Sequence, residues 1–339
     1  MATLSRPTTV SPAPTQDLAI QAVNLGKKYG DQSVVTAVTF DIPRGNIFGF
    51  IGPSGAGKTT TVRMLTGVVK PTSGTVTVLG SPPGQFHTRT REKIGYMPQL
   101  FALYPDLTVW ENLNFAASLY GMGLVRGKQL HRVLEFVELD SHRRKLARDI
   151  SGGMQRRLSL AATLVHDPEV LFLDEPTMGI DPILRSKFWE HFDTLKSQGR
   201  TLFVTTQYVG EAAYCDLIGV LAEGHLLAVD TPAGLRRRAF GGEVVELHTP
   251  QRMDYNRLQL LRQLPFVHDI TRLDDLDLRV VVDDASSAIP ALLNWGQAQQ
   301  VPIDSIREYL PPFDDVFVQV VKNAGADTQV LDDGRKGPS

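Results

Sequence analysis

Three things are scarce in this chain of 339 residues. It has one cysteine, Cys215, which can close no internal disulfide and build no cysteine metal cluster, so a reducing compartment is expected and the thiol is read as a small buried apolar group. Charge of one sign is not in excess: 35 basic and 37 acidic residues leave a net −2, which argues against a protein whose main partner is a polyanion such as DNA. The basic runs Arg143-Arg144-Lys145 and Arg236-Arg237-Arg238 are accordingly expected on solvated helix faces. Long apolar runs are absent too. No stretch reaches the ~18 uninterrupted apolar residues of a membrane span; Leu217 to Val229 comes nearest, and Glu223, Gly224 and His225 interrupt it. Nothing here is expected to cross a membrane by itself. Residues 1–17, rich in Ser, Thr and Pro with no apolar block for a signal peptide, read as a disordered lead.

What is present is a chain that is 42 % hydrophobic and long enough for two or three domains. Short β-type runs at Leu18 to Val23, Val34 to Phe40 and Asn46 to Ile51 precede a glycine-rich loop and a helix from about Lys58 to Leu65. Further strands are expected at Gly74 to Leu79, Lys93 to Met97, Val170 to Leu173, Thr201 to Thr206 and Leu217 to Leu221, with helices between many of them, the order of a parallel α/β sheet. From about 100 to 166 the pattern is helical only. Thr108 and Glu111 have capping-box spacing ahead of a helix over Val109 to Tyr120; a second helix is expected over Gly127 to Val137 and a third after Ser151. After Phe240, the strands Glu243 to His248, Phe266 to Thr271, Leu278 to Val282 and Pro302 to Tyr309 enclose helices near Asp254 to Leu264 and Ser286 to Gln299. That β-α-β-β-α-β order is the split βαβ arrangement of a ferredoxin-like unit.

The chemistry concentrates in three places. Gly52-Pro53-Ser54-Gly55-Ala56-Gly57-Lys58-Thr59 fits G-x-x-x-x-G-K-[ST] without a mismatch. In such a loop the glycines let backbone N–H groups converge on phosphate oxygens, the lysine adds a point charge, the threonine hydroxyl binds Mg²⁺, and the following helix contributes its positive end. A chance match in a chain this long has a probability of about one per cent. The apolar strand Val170 to Leu173 ends in Asp174 and Glu175, then Pro176: the first acid can hold the metal and the second can polarise an attacking water. Ser151-Gly152-Gly153-Met154-Gln155 opens an amphipathic helix, either a plain N-cap or a second anion site. Two phosphate sites with one metal-holding strand point to a two-fold dimer in which each partner closes the other's nucleotide.

In this order and spacing the motifs resemble the nucleotide-binding subunit of an ATP-binding cassette (ABC) transporter over roughly residues 18–235. The resemblance implies a P-loop NTPase cassette, a mixed-sheet core with a helical insertion at about 100–166, spanning 18–240. A small α+β unit over 241–322 and a flexible tail over 323–339 would follow. It further implies that Tyr29 stacks on adenine and that Gly52 to Thr60 forms the Walker A loop. Asp174 and the Q-loop glutamine Gln99 would help hold Mg²⁺, Glu175 would be the general base, Ser151, Gly152 and Gly153 the signature, and Asp181 of Gly179-Ile180-Asp181 the coupling residue across the dimer. Taken alone, Tyr29 fits any strand-end aromatic and Gln99 any polar turn residue.

Two departures matter. Gln207 stands where the family usually has a histidine that contacts the terminal phosphate; an amide donates and accepts but neither carries a proton charge nor acts as acid or base. Either hydrolysis persists because Glu175 is the main base, or the site is a slow switch. The signature has Ile150 and Met154 for the usual leucine and glutamine, and its Arg156-Arg157 continuation resembles the drug-resistance and polysaccharide or lipid exporter branch, as does Pro311-Pro312-Phe313-Asp314-Asp315-Val316-Phe317. That branch implies an ATPase on the cytoplasmic face of the cell membrane, working as a homodimer or heterodimer with a separately encoded permease and no nucleic-acid partner. Phe101, Tyr104 and Trp110 are equally permease contacts or core of the insertion. The competing reading is a non-transport ABC ATPase acting on a soluble macromolecule, against which stand the single cassette, the lack of heptads and the near-neutral charge.

Overall fold

A computed structural model describes residues 17–100 and 102–333. The expected disordered lead lies outside the described residues except for Asp17, which pairs with Arg44, and so does Phe101. Strands β1 (Leu18–Tyr29), β2 (Gln32–Pro43) and β3 (Ile47–Ile51) lead into α1 (Lys58–Leu65), then β4 (Ser73–Val78), the single turn α2 (Thr88–Arg91) and β5 (Ile94–Met97). Helices α3 (Val109–Leu119), α4 (Gly127–Phe136) and α5 (Gly152–Leu164) form the insertion, followed by β6 (Val170–Asp174), α6 (Pro182–Ser197), β7 (Thr201–Thr206), β8 (Leu217–Ala222), β9 (His225–Asp230) and α7 (Pro232–Phe240). The capping box of Thr108 and Glu111 is formed in full.

These strands make one nine-stranded sheet in the order β4-β1-β2-β9-β8-β3-β7-β6-β5. It is mixed. Strands β8, β3, β7, β6 and β5 run parallel, while β9 turns back on β8 and the β1, β2, β4 group is antiparallel. Strands β3, β6 and β7 are buried throughout; β3 and β6 read as near-continuous apolar runs, while β7 flanks Leu202-Phe203-Val204 with buried threonines. One face packs Phe40, Phe48, Phe50, Phe172 and Phe203 into a single aromatic cluster, with ring centroids 5.3–6.1 Å apart. The other carries α5, α6 and the insertion.

A second sheet follows. Strands β10 (Glu243–His248), β11 (Val267–Arg272), β12 (Asp277–Val282) and β13 (Ser305–Tyr309) alternate with α8 (Tyr255–Arg262) and α9 (Ala285–Ala298) in the order β11-β12-β10-β13, with every neighbouring pair antiparallel. This is the strand order of the split βαβ arrangement. Val245, Leu247, Val280, Leu292 and Trp295 fill its own core.

The structure departs from expectation at the C-terminus. The tail expected to be flexible from 323 is helical as far as Asp333, as part of α10 (Phe313–Asp333). That helix also leaves the second sheet: Phe313, Val316 and Val320 are buried in the core of the first sheet, beside α7, so residues 313–322 pack with the nucleotide-binding unit. The basic runs differ too. Arg143-Arg144-Lys145 occupies a turn, not a helix face. On α7, Arg237 and Arg238 are exposed, but Arg236 is half-buried, its guanidinium 4.1 Å above the Phe313 ring and its Nε donating to the Pro311 carbonyl. Cys215 is buried, as expected.

Candidate functional site

Strands β3, β7 and β6 lie side by side and point the same way, so the segments leaving their carboxyl ends gather at one edge of the sheet, where open α/β sheets bind ligands. The loop from Gly52 leaves β3, Asp174 and Glu175 end β6, and Gln207 follows β7.

The loop's shape depends on two glycines. A β-carbon on Gly52 would stand 2.1 Å from the Leu221 carbonyl oxygen. Gly57, the N-cap of α1, has φ +104 and would bring one to 2.7 Å from the Val34 carbonyl oxygen. Between them Pro53, Ser54 and Gly55 are exposed, and Ala56 is buried and anchored by the Gly224 N–H on its carbonyl. The first backbone bond into α1 is donated by Thr61 to Gly57, which leaves the N–H groups of Lys58, Thr59 and Thr60 without helical acceptors at the positive end of the helix. Lys58 is buried. Its Nζ donates to the Gly52 and Pro53 carbonyls at 2.8 and 3.0 Å and pairs with Glu175 Oε1 at 3.1 Å. Buried charges are tolerated when so paired.

Asp174 is fully buried. Its Oδ1 accepts from Thr205 Oγ1 at 2.7 Å and from Thr59 Oγ1 at 3.1 Å, while Oδ2 is buried without a hydrogen-bond partner. Burial raises its carboxyl above the ordinary aspartate range, and the Thr205 and Thr59 donors act in the opposite direction. An orphaned carboxylate oxygen beside a threonine hydroxyl suits a hard cation, Mg²⁺ above all, which takes few protein ligands and shares the rest with phosphates and water. No group of three or more His, Cys, Asp or Glu forms a fuller cage among the described residues. Glu175, also buried, holds a left-handed backbone with φ +49, a strain of the kind that collects at functional sites.

Two further contacts were not legible as site features. Thr205 orients both acids, since its hydroxyl also accepts from the Glu175 N–H at 2.9 Å; the signal was a hydroxyl at the end of an apolar strand, paired in register with Asp174. Arg156 donates to the carbonyls of Pro98 and Glu175 at 3.4 and 3.3 Å and so ties α5 to the ends of both strands. Gln99, expected to help hold Mg²⁺, is half-buried; its amide donates to the Met178 sulfur at 3.4 Å and makes no hydrogen bond to Asp174 or Thr59.

Other expected residues make no hydrogen bond to Lys58, Asp174 or Glu175. Tyr29 is exposed at the β1 to β2 turn, with the Lys27 ammonium 5.0 Å from its ring. Ser151 caps α5, its Oγ accepting from Met154 N–H at 3.3 Å; it and Gly152 are exposed and Gly153 is half-buried. Asp181 caps α6 through a 2.9 Å bond from Leu184 N–H, also at the surface. Gln207 is exposed. Tyr104 is exposed and meets Phe115 edge-on at 5.0 Å, but Trp110 is half-buried, packed on the core and 4.8 Å from the His131 ring. Of the two readings held equally for Trp110, its packing matches a place in the insertion's core.

Comparison with known proteins places this geometry. The family model for ABC transporters matches residues 35–178. The probable multidrug ABC transporter ATP-binding protein YbhF of Escherichia coli is 41 % identical over 228 residues, 67 % of this chain and 39 % of that protein, so the chain spans about two fifths of that relative's length. The linearmycin resistance ATP-binding protein LnrL of Bacillus subtilis is 35 % identical over 307 residues, covering 89 % of this chain and 97 % of that one. Among solved structures, a dimeric bacterial ABC transporter cassette aligns with a TM-score of 0.58 at 27 % identity, over 62 % of this chain and 98 % of that chain.

Proposed function

This chain belongs to the ATP-binding subunits of the ABC transporters, in the drug-exporter branch, and from that premise we propose that two copies of the cassette close around ATP, hydrolyse it, and drive export through a separately encoded permease. The observation that carries the reading is the buried pair of Lys58 and Glu175, 3.1 Å apart at the mouth of the glycine loop. A terminal phosphate entering the loop offers Lys58 oxygens in place of the carboxylate. Glu175 is then released to take a proton from the water that attacks the terminal phosphorus, as the bond to the ADP oxygen breaks and phosphate leaves. Thr59 and Asp174 would hold Mg²⁺, which when bound spreads the negative charge of the phosphates. Lys58 and the free N–H groups at the start of α1 orient the phosphates, Tyr29 offers a face for the adenine, and Gln207 can position the water without exchanging a proton.

The exposed ends at Ser151 and Asp181 supply the reason for two copies. An N-capped helix start facing solvent is an anion site waiting for a ligand that its own chain does not deliver, and the partner's nucleotide fits. A pairing with a different ABC subunit would use the same faces. Substituting Glu175→Gln tests both parts. With MgATP the variant is expected to lose turnover and accumulate as a dimer in analytical ultracentrifugation. Native turnover would remove Glu175 as the base, and a monomer at saturating MgATP would remove the shared site. The exposed position of Gln207 at the end of β7 keeps the slow-switch reading in play: turnover of Gln207→His equal to the native rate would exclude it.

Export is supported by the relatives named for multidrug transport and linearmycin resistance. No helix among the described residues is long and apolar enough to cross a membrane, so the export reading requires a permease that holds the subunit at the cytoplasmic face. The exposed side chains of Leu100, Tyr104, Phe115 and Leu119 beside the Gln99 segment offer that permease an apolar landing. A Tyr104→Ser variant that folds but no longer co-purifies with the permease would support this, and unchanged co-purification would refute it.

A further inference from the structure

The turn after α4 carries a residue whose backbone and side chain are at odds with a merely local role. The helix closes in a Schellman motif: Leu139 N–H reaches the Leu134 carbonyl at 2.7 Å and Glu138 N–H reaches the Glu135 carbonyl at 3.0 Å. The position between helix and exit demands a left-handed backbone, which glycine adopts without penalty. Glu138 occupies it with φ +56. A β-carbon-bearing residue persists there when its surroundings hold it in place.

That side chain joins two helices. Glu138 Oε1 and Oε2 both accept from Lys187 Nζ on α6, at 3.2 and 3.0 Å. Oε2 also accepts from Arg157 Nη1 on α5 at 3.1 Å, and the same guanidinium donates to the Val137 and Glu138 carbonyls at 3.2 and 3.4 Å, closing the negative end of α4. Arg157 follows Ser151 by six residues and Lys187 follows Asp181 by six. The bridge therefore connects equivalent points on the two helices that begin at Ser151 and at Asp181.

A second contact joins the same helices at their starts. A β-carbon on Gly153 would lie 2.5 Å from Leu184 Cδ2, so the Leu184 side chain fills the space a larger residue would need, and the Leu184 N–H is the one that caps on Asp181. One contact fixes a distance and leaves an angle free. Two contacts fix both.

We propose that Glu138 is a positioning residue which, through Arg157 and Lys187, sets the angle between α5 and α6 so that Ser151 and Asp181 reach the partner copy's nucleotide together. The inference rests on the two-copy site proposed above. Glu138 and Lys187 are each about half exposed, at 50 % and 44 %, so the bridge adds little to stability and its effect lies in geometry.

The test uses the full chain carrying Glu175→Gln as parent and reads three quantities: melting temperature, MgATP affinity of the dilute monomer, and the ATP-dependent dimer constant from analytical ultracentrifugation. Glu138→Gly removes the bridge while relieving the left-handed strain. It is expected to melt at or above the parent, bind MgATP as the parent does within about twofold, and dimerise about tenfold more weakly, a middling effect for groups coupled in one network. Lys187→Ala should weaken the dimer similarly, and the double variant should lose no more than either alone. Dimerisation of Glu138→Gly at the parent's strength would overturn the inference. So would a parallel fall in melting temperature and monomer affinity, since that marks a structural role. A parent that stays monomeric with MgATP would overturn the two-copy reading itself, and this inference with it.

Discussion

Replacing Thr205 by valine removes one oxygen and leaves the shape of the side chain intact. In the native chain that hydroxyl, fully buried, donates to Asp174 Oδ1 at 2.7 Å and accepts from Glu175 N–H at 2.9 Å. The bond to the carboxylate is charge-assisted and contributes about 1.5–3 kcal/mol net. The Glu175 N–H keeps the Thr205 carbonyl at 3.1 Å, so its loss is smaller. The sum is about 2–3 kcal/mol, and at ~2–4 °C per kcal/mol for a unit of this size the melting point should fall by roughly 4–12 °C. Thr205→Ser keeps both bonds and sheds a methyl group, which costs about 1 kcal/mol. The two variants therefore separate stability from orientation. If Thr205 aims both acids, the valine variant loses at least tenfold in kcat, the scale of a 1.4 kcal/mol misplacement, while the serine variant keeps most of its turnover. Thermal melting and steady-state phosphate release measure the two effects. Native kcat in the valine variant, or equal impairment of serine and valine, would refute the assignment.

Gly57→Ala should abolish MgATP binding in a fluorescence titration, because the φ of +104 and the 2.7 Å approach to the Val34 carbonyl oxygen cannot both be kept. Cys215 should resist alkylation in the folded protein at pH 8, where burial first, and the nearby Glu211 and Asp216 second, push its thiol far above the ordinary range. The thiolate is scarce until pH rises through that raised value, so mass spectrometry should find labelling only as fast as the chain opens. Arg236→Ala removes the stacking on Phe313 and the bond to the Pro311 carbonyl, together about 1–2 kcal/mol. Limited proteolysis should then cut near Pro312 faster than in the native chain, with ATP affinity unchanged.

Most of the candidate site was legible because the chemistry it would perform dictates sequence. A backbone that must turn where a β-carbon would strike Leu221 or Val34 needs glycine, and glycines at fixed spacing before Lys58 are visible without a structure. Strands β3 and β6 announce themselves as apolar runs because both faces are covered, and β7 through its Leu202-Phe203-Val204 core and β-branched threonines. Legibility failed where polar residues do structural work. Strand β1 continues past Val23 to Tyr29 through Gly26, Lys27 and Lys28, its register shifted three times against β2 beyond that point, so no alternation marks it. The hairpin of β8 and β9 was hidden because Glu223 and Gly224, both left-handed, looked like an interruption of one run when they form its turn. Helix α10 could not be placed, because its partner α7 belongs to the core of the first sheet and no local pattern records where a helix goes after it forms.

That return has a consequence for how the chain is made. Synthesis delivers α7 well before α10, with the whole of the second sheet between them, a delay of several seconds at ~5–20 residues per second. Through that interval Leu235, Ala239 and Ala228 lack the Phe313, Val316 and Val320 side chains that finally share their core. A ribosome that stops early thus releases a cassette with an open apolar seam, which chaperones and proteases recognise. Helix α10 works as a completion mark: only a chain translated past the second sheet can seal the nucleotide-binding unit.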